Sequence, residues 1–167
     1  MAISPQSNAT AQPVPGTRLP TYVFVNSRAL SQRVAEIVAS VIRERNALGQ
    51  QAVLGLPTGS TPVGVYRELI RMHTEEDLDF SHVVTFNLDE YYGLAADRLQ
   101  SYHRWMRTQL FDHINIPDEN IHIPDGMVPL DQVERYCREY EAAIAAAGRI
   151  DVMLLGIGRN GHIGFNE

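Results

Sequence analysis

Three short stretches of this chain hold the residue types that acid–base chemistry on a small anionic ligand requires. "FNLDEYYG", Phe86 to Gly93, sets Asp89 beside Glu90 directly after an apolar, β-branched run. A carboxyl at the end of a buried strand is partly desolvated and faces a second negative charge, and both effects raise its pKa. Such a group suits a general base that takes a proton from carbon and returns it. "LLGIGRNGHIGFNE", Leu154 to Glu167, places His162 two residues after Asn160 and five before Glu167. Imidazole shuttles protons near neutral pH, and a carboxylate within reach, such as Glu167, would fix its tautomer and raise its basicity. "PTGSTP", Pro57 to Pro62, adds a third capability. Gly59 allows close backbone approach to a ligand, Ser60 and Thr61 carry hydroxyls, and a following helix would supply unpaired N–H groups and the positive end of its dipole. Together these make a phosphate cradle without the lysine or spacing of a Walker A loop.

Each stretch also has a plainer reading. The acidic pair reads equally as a solvated loop, "PTGSTP" as a capped turn with Thr61 at the N-cap, and His162 as a structural hydrogen bonder. "GIGRNG" fits the G-x-G-x-x-G spacing of a dinucleotide loop, but "HIGFNE" is a poor start for the helix that must follow. A metal site finds no H-E-x-x-H and no cysteine pair, and His73, His82, His103, His113 and His122 are scattered. Ser60 lacks the G-x-S-x-G surroundings of an activated nucleophile.

The elements that must position these residues alternate. "TYVFV" (Thr21 to Val25), "QAVLGL" (Gln51 to Leu56), "HVVTFN" (His82 to Asn87) and "IDVMLL" (Ile150 to Leu155) read as strands, the last buried on both faces. Between them, Leu30, Val34, Ile37, Val38, Val41 and Ile42 recur at helical spacing after a capping Ser27. Val65, Leu69 and Met72 mark a second helix, and a third opens at Ser101 with Tyr102, Trp105, Met106 and Leu110. A fourth runs from Asp131 to Ala147 and ends at Gly148, while "IPDENIHIPDG" reads as an irregular connection. This alternation predicts an α/β fold, a Rossmann-like three-layer αβα arrangement on a mainly parallel sheet, with ligands at the carboxyl ends of the strands. Met1 to Pro20, rich in Ser, Pro, Gln, Thr and Ala, reads as a disordered tail before a single domain over residues 21–167.

Composition narrows the partners. Of 167 residues, 44% are apolar and 20% charged, with a net charge of −6. This is a soluble globular balance that argues against nucleic acid, while an anion can still be bound by backbone N–H groups. The single cysteine, Cys137, excludes an internal disulfide and reads as a buried thiol in a reducing, cytoplasmic setting. No apolar run approaches the ~20 residues of a membrane span, and the start of the chain lacks the pattern of a secretory signal.

In combination and in order, "LGLPTGSTPVGVY", "VVTFNLDEYYGL", "SYHRWM…FDHINIP" and "GIGRNGHIGFNE" resemble the glucosamine-6-phosphate deaminase family, from about Tyr22 to Glu167. The resemblance implies conversion of glucosamine 6-phosphate and water to fructose 6-phosphate and ammonia, in amino-sugar catabolism, with no metal or organic cofactor. It implies a sugar phosphate as ligand and homo-oligomers, trimers or hexamers. By motif position it makes Asp89 the proton carrier between C2 and C1. His162 becomes the ring-opening residue with Glu167 as its charged partner, and Asn160 falls at a position that is Asp or Asn in the family. Gly59, Ser60 and Thr61 become the phosphate-binding turn. Members run on well beyond the position of Glu167, so the chain reads as an amino-terminal part, truncated at its C-terminus, and is expected to be aggregation-prone and weakly active alone. Two other functions compete: a 6-phosphogluconolactonase-like hydrolase, and a non-catalytic sugar-phosphate-binding regulator.

Overall fold

The computed structural model describes residues 11–166. It opens on a small antiparallel hairpin, in which Gln12–Pro13 (β1) pairs with Tyr22–Val23 (β2), Gln12 opposite Val23. The disordered tail expected through Pro20 therefore does not describe residues 11–20; residues 1–10 lie outside the described residues. The Thr17 hydroxyl closes the turn by hydrogen-bonding the carbonyls of Val14 and Leu19, at 3.1 and 2.7 Å. Proline and threonine, taken from composition as marks of disorder, here build a turn. "TYVFV" accordingly contributes two exposed residues to the hairpin and none to the main sheet.

Ser27–Ala47 (α1) is capped by Asn26, whose Oδ1 accepts from the Ala29 N–H at 2.9 Å; Ser27, the expected cap, is instead the first helical residue, and the cap falls one residue earlier. The helix buries Ala35, Val38, Ala39 and Ile42, a stripe at helical spacing. Ala52–Leu56 (β3), Val63–Glu76 (α2) and Val83–Asn87 (β4) follow. Both strands are buried at every residue, as strands covered on two faces must be. Tyr102–Gln109 (α3), Ile121–His122 (β5), Val133–Ala146 (α4) and Val152–Met153 (β6) complete the elements.

The main sheet has four parallel strands in the order β5-β4-β3-β6. Alternation sorts its side chains. Ala52, Leu54, Leu56 and Val83 pack with residues of α1, α2 and α3 on one face. Val53, Val84 and Phe86 pack on the other against Tyr140, Ala143 and Ile144 of α4. Period-2 strands between two helical layers give the three-layer α/β arrangement read from the sequence.

Three details differ from the sequence reading. The fourth strand of the sheet comes from within "IPDENIHIPDG". His122 is held there by stacking on Phe86, with centroids 4.5 Å apart and an interplanar angle of 10°. "IDVMLL" keeps only two strand residues and is not buried on both faces: Met153 and Leu155 are 40% and 50% exposed. The reason is position, since β6 is the outer strand beyond β3, and among the described residues none pairs with its far side. Cys137 is exposed, because α4 turns Tyr140, Ala143 and Ile144 toward the sheet and Cys137 away from it. Asp151 fixes the start of β6: its carboxylate accepts the Val53 N–H at 3.0 Å and pairs with Arg45 at the end of α1.

Candidate active site

The loops after β3, β4 and β6 all leave the carboxyl ends of their strands and enclose one cleft of about 700 Å³. Gly59, Ser60, Thr61, Asp89 and His162 all line it. Asn160 stands behind His162, and Glu167 lies outside the described residues.

The first loop follows from a strand that ends at Leu56 and a helix that begins at Val63. Gly59 takes a left-handed φ of +94°, which a side chain would resist. Pro62, not Thr61, is the N-cap residue of α2, and no side chain caps this end. Ser60 and Thr61 line the cleft, and the first N–H groups of α2 carry its positive dipole end. The buried Tyr66 hydroxyl hydrogen-bonds the Pro57 carbonyl and ties the loop to α2.

The adjacent acids of the second loop have separate tasks. Glu90 turns to α3, where its carboxylate accepts the N–H groups of Tyr102 and His103 at 3.0 and 3.1 Å, and that of Tyr91 at 2.8 Å. It thus satisfies donors at a helix start and complements the dipole there. Asp89 faces the cleft, and its pKa is raised above the usual carboxylate range, first by burial and then by the negative charge of Glu90. Both causes are those expected from the sequence.

In the third loop Asn160 holds His162 in place. The Asn160 Oδ1 accepts the Nδ1–H of His162 and, at 3.3 Å, its backbone N–H. An amide oxygen can only accept, so this contact places a proton on Nδ1 of His162. Gly158 donates its N–H to the His162 carbonyl at 2.9 Å, and a Cβ added at Gly158 would overlap the imidazole ring. The glycine spacing that imitates a nucleotide loop makes room here for a histidine. Gly164 brings the end of the loop back to Asp89, whose Oδ2 lies 3.3 Å from where a Cβ would stand.

Two residues of the site escaped the sequence reading. Tyr102, taken only as an apolar helix position, borders the cleft. Phe165 packs on Tyr91 and Tyr102, with centroids 5.2 and 6.0 Å apart, and closes the rim. The one signal for Tyr102 was its place directly after the capping Ser101, at the start of α3. Among the described residues, no three His, Cys, Asp or Glu side chains gather as a metal ion would require.

The parallel sheet and the cleft at its carboxyl end, with a poised acid, an oriented imidazole and an uncapped helix start, define a three-layer α/β protein of the ligand-binding kind. The model of the glucosamine-6-phosphate isomerase/6-phosphogluconolactonase family matches residues 25–164, and the chain belongs to this family. It is 52% identical over 145 residues to a glucosamine-6-phosphate deaminase of Thermoanaerobacter sp. (strain X514), covering 87% of this chain and 55% of that protein. It is 51% identical over 138 residues to the deaminase of Clostridioides difficile (strain 630), covering 83% and 53%. Among solved structures, a monomeric glucosamine-6-phosphate deaminase superposes with a TM-score of 0.79 at 48% identity, over 85% of this chain and 56% of that one. A 6-phosphogluconolactonase from Thermotoga maritima superposes at 0.66 with 27% identity, over 81% and 59%. The chain spans about half the length of the curated relatives it matches.

Proposed function

We propose that the complete protein is an isomerising deaminase that converts glucosamine 6-phosphate and water to fructose 6-phosphate and ammonia. The observation that carries this reading is the placement of Asp89, with its raised pKa, in one cleft with His162 and the Gly59–Thr61 turn. Relatives named glucosamine-6-phosphate deaminase at about half identity support it.

The chemistry divides among these residues. The sugar phosphate docks on the N–H groups and hydroxyls of the Gly59–Ser60–Thr61 turn, so a chain of net charge −6 can take an anion. His162 Nε2 takes the C1 hydroxyl proton and returns a proton to the ring oxygen, which opens the sugar. Asn160 orients the ring, and Glu167 is its charged partner in this reading. Asp89 then carries a proton from C2 to C1, and its raised pKa lets it pass through both protonation states. Hydrolysis of the resulting imine at C2 releases ammonia.

The decisive experiment assays the complete protein for ammonia release from glucosamine 6-phosphate and, in parallel, for hydrolysis of 6-phosphogluconolactone. Ammonia release without lactone hydrolysis is expected, and the reverse result would replace this reading with the lactonase one. Fructose 6-phosphate binding without turnover would instead make the protein a sugar-phosphate-binding regulator. A cytoplasmic setting accords with an exposed, unpaired Cys137, which a reducing compartment preserves. No helix among the described residues is long and apolar enough to cross a membrane. For assembly, the sequence resemblance implies a trimer or hexamer, whereas the solved relative with a TM-score of 0.79 is monomeric. Sedimentation of the complete protein decides between them.

A further inference from the structure

Tyr102, the first residue of α3, is where the three loops of the cleft meet. Thr58 of the first loop lines the cleft with it and acts electrostatically on its hydroxyl. Tyr91 of the second loop has its own hydroxyl 3.3 Å away. Phe165 of the third lies nearly parallel to the Tyr102 ring, 6.0 Å between centroids and 20° between planes. Glu90 fixes the backbone beneath it by accepting the Tyr102 N–H at 3.0 Å. The ring is thus held on several sides, and Tyr102 and Asp89 line the same cleft.

A phenol has one proton to give. The Tyr102 O–H points to the Tyr91 oxygen at 3.3 Å, a distance well beyond the ~2.7–2.8 Å usual for such a bond. That weak contact is readily exchanged for a better acceptor on a ligand. Burial, the Tyr91 hydrogen bond and the nearby Asp89 charge push the phenol up to about 12, so it stays protonated at neutral pH. A neutral donor also suits its neighbour. An Arg or Lys in the same place would pull the Asp89 pKa down and weaken it as a base, which a phenol does not do.

We propose that the Tyr102 hydroxyl is a catalytic hydrogen-bond donor to the sugar oxygen that gains negative charge while Asp89 carries the proton. This inference rests on the isomerase reading of the cleft. In the step concerned, the Asp89 carboxylate removes the C2 proton of the open-chain amino sugar. The C–H electron pair becomes the C1–C2 double bond, and the carbonyl pair moves to the C1 oxygen, where the Tyr102 O–H meets the new charge. That oxygen then takes a proton from the adjacent ammonium group. As Asp89 returns its proton to C1, the nitrogen lone pair forms the C2–N double bond. Donors aimed at developing charge act where water is excluded and need no reorganisation during the reaction.

The test is Tyr102→Phe in the complete protein, which keeps the ring packed on Tyr91 and Phe165 and removes only the hydroxyl. Ammonia release from glucosamine 6-phosphate is expected to lose roughly 10²–10³-fold in kcat, with KM nearly unchanged. An unchanged kcat, or a loss confined to KM, would overturn the proposal; the latter would mean that the phenol serves only the phosphate turn through Thr58. Should this variant fail to fold, 3-fluorotyrosine at position 102 preserves the shape with a more acidic phenol. With a more acidic donor kcat must then change while KM holds, and an unchanged kcat is equally fatal. Absence of ammonia release from the wild-type protein would fail the isomerase reading and this role with it. Wild-type turnover matched by Tyr102→Phe fails the Tyr102 role alone.

Discussion

Asp89 and Glu90 are neighbours of the same chemistry with opposite fates, and the difference lies in what each side chain meets. Glu90 meets the N–H groups that start α3 and becomes structural, whereas Asp89 meets the cleft and a neighbouring charge. Because the folded pKa of Asp89 is raised, the folded state holds this proton more tightly than the unfolded chain. Stability associated with it is fully present below the ordinary value of ~3.9 and is lost as pH rises through the folded value. Asp89→Asn should therefore be more thermostable than wild type at neutral pH, the gap closing as the pH falls into the acid range. The same variant should lose roughly 10²–10⁴-fold in kcat while still binding fructose 6-phosphate. Calorimetric melting at several pH values together with the ammonia assay checks both parts, and a less stable Asp89→Asn at neutral pH would contradict the raised pKa. In the wild type, the acid limb of kcat/KM is expected above the usual carboxylate range. Gly158 supplies a second residue-scale test. Gly158→Ala must displace the His162 ring, and a displacement near 1 Å costs on the order of 10²-fold in turnover. Unaltered kcat in Gly158→Ala would remove His162 from the mechanism as drawn.

At the scale of elements, α3 is the piece that sets the site, although its own stripe is short. It is anchored twice: the Ser101 Oγ accepts the Arg104 N–H at 3.0 Å, and Glu90 takes the donors of Tyr102 and His103. Glu90→Ala removes one anchor and should lower stability by about 0.5–2 kcal/mol, the usual range for a lost cap. It should also raise KM, because Tyr102 and the rim it supports lose their footing; urea melting and steady-state kinetics test the pair of effects. These anchors also define what was legible in advance. The motif loops and the long periodic helices α1 and α2 could be read from spacing, since local pattern alone determines them. The partner of Glu90 could not, because it depends on where a helix twelve residues downstream begins in space. "IPDENIHIPDG" hid β5 for a similar reason: two residues are too few to show a period, and stacking of His122 on Phe86 puts them at the sheet edge. The contact of Asn160 with His162 was visible only as closeness in the motif, because spacing does not say which way a side chain turns; the expected partner Glu167 lies outside the described residues.

For the whole molecule, the open question is how the sheet ends. The layers follow from sequence periodicity, but the order β5-β4-β3-β6 and the exposure of its β6 side do not, because they depend on which strands find each other across long connections. The outcome is an outer strand followed by Leu155 and Ile157, which are 50% and 77% exposed, with Phe165 at 52% nearby in sequence. A strand edge with unpaired N–H and carbonyl groups, flanked by apolar side chains, is a template for pairing with another chain. The 167-residue polypeptide on its own is therefore expected to self-associate, its apparent mass rising with concentration in analytical ultracentrifugation. Leu155→Lys should shift this equilibrium toward the monomer, since a lysine at such an edge opposes pairing. Leu155 faces solvent, so this substitution should change the melting temperature little, which separates an edge effect from loss of fold. A concentration-independent monomer mass for the unsubstituted polypeptide would show that the β6 edge is already protected, and that Leu155 and Ile157 are ordinary surface residues.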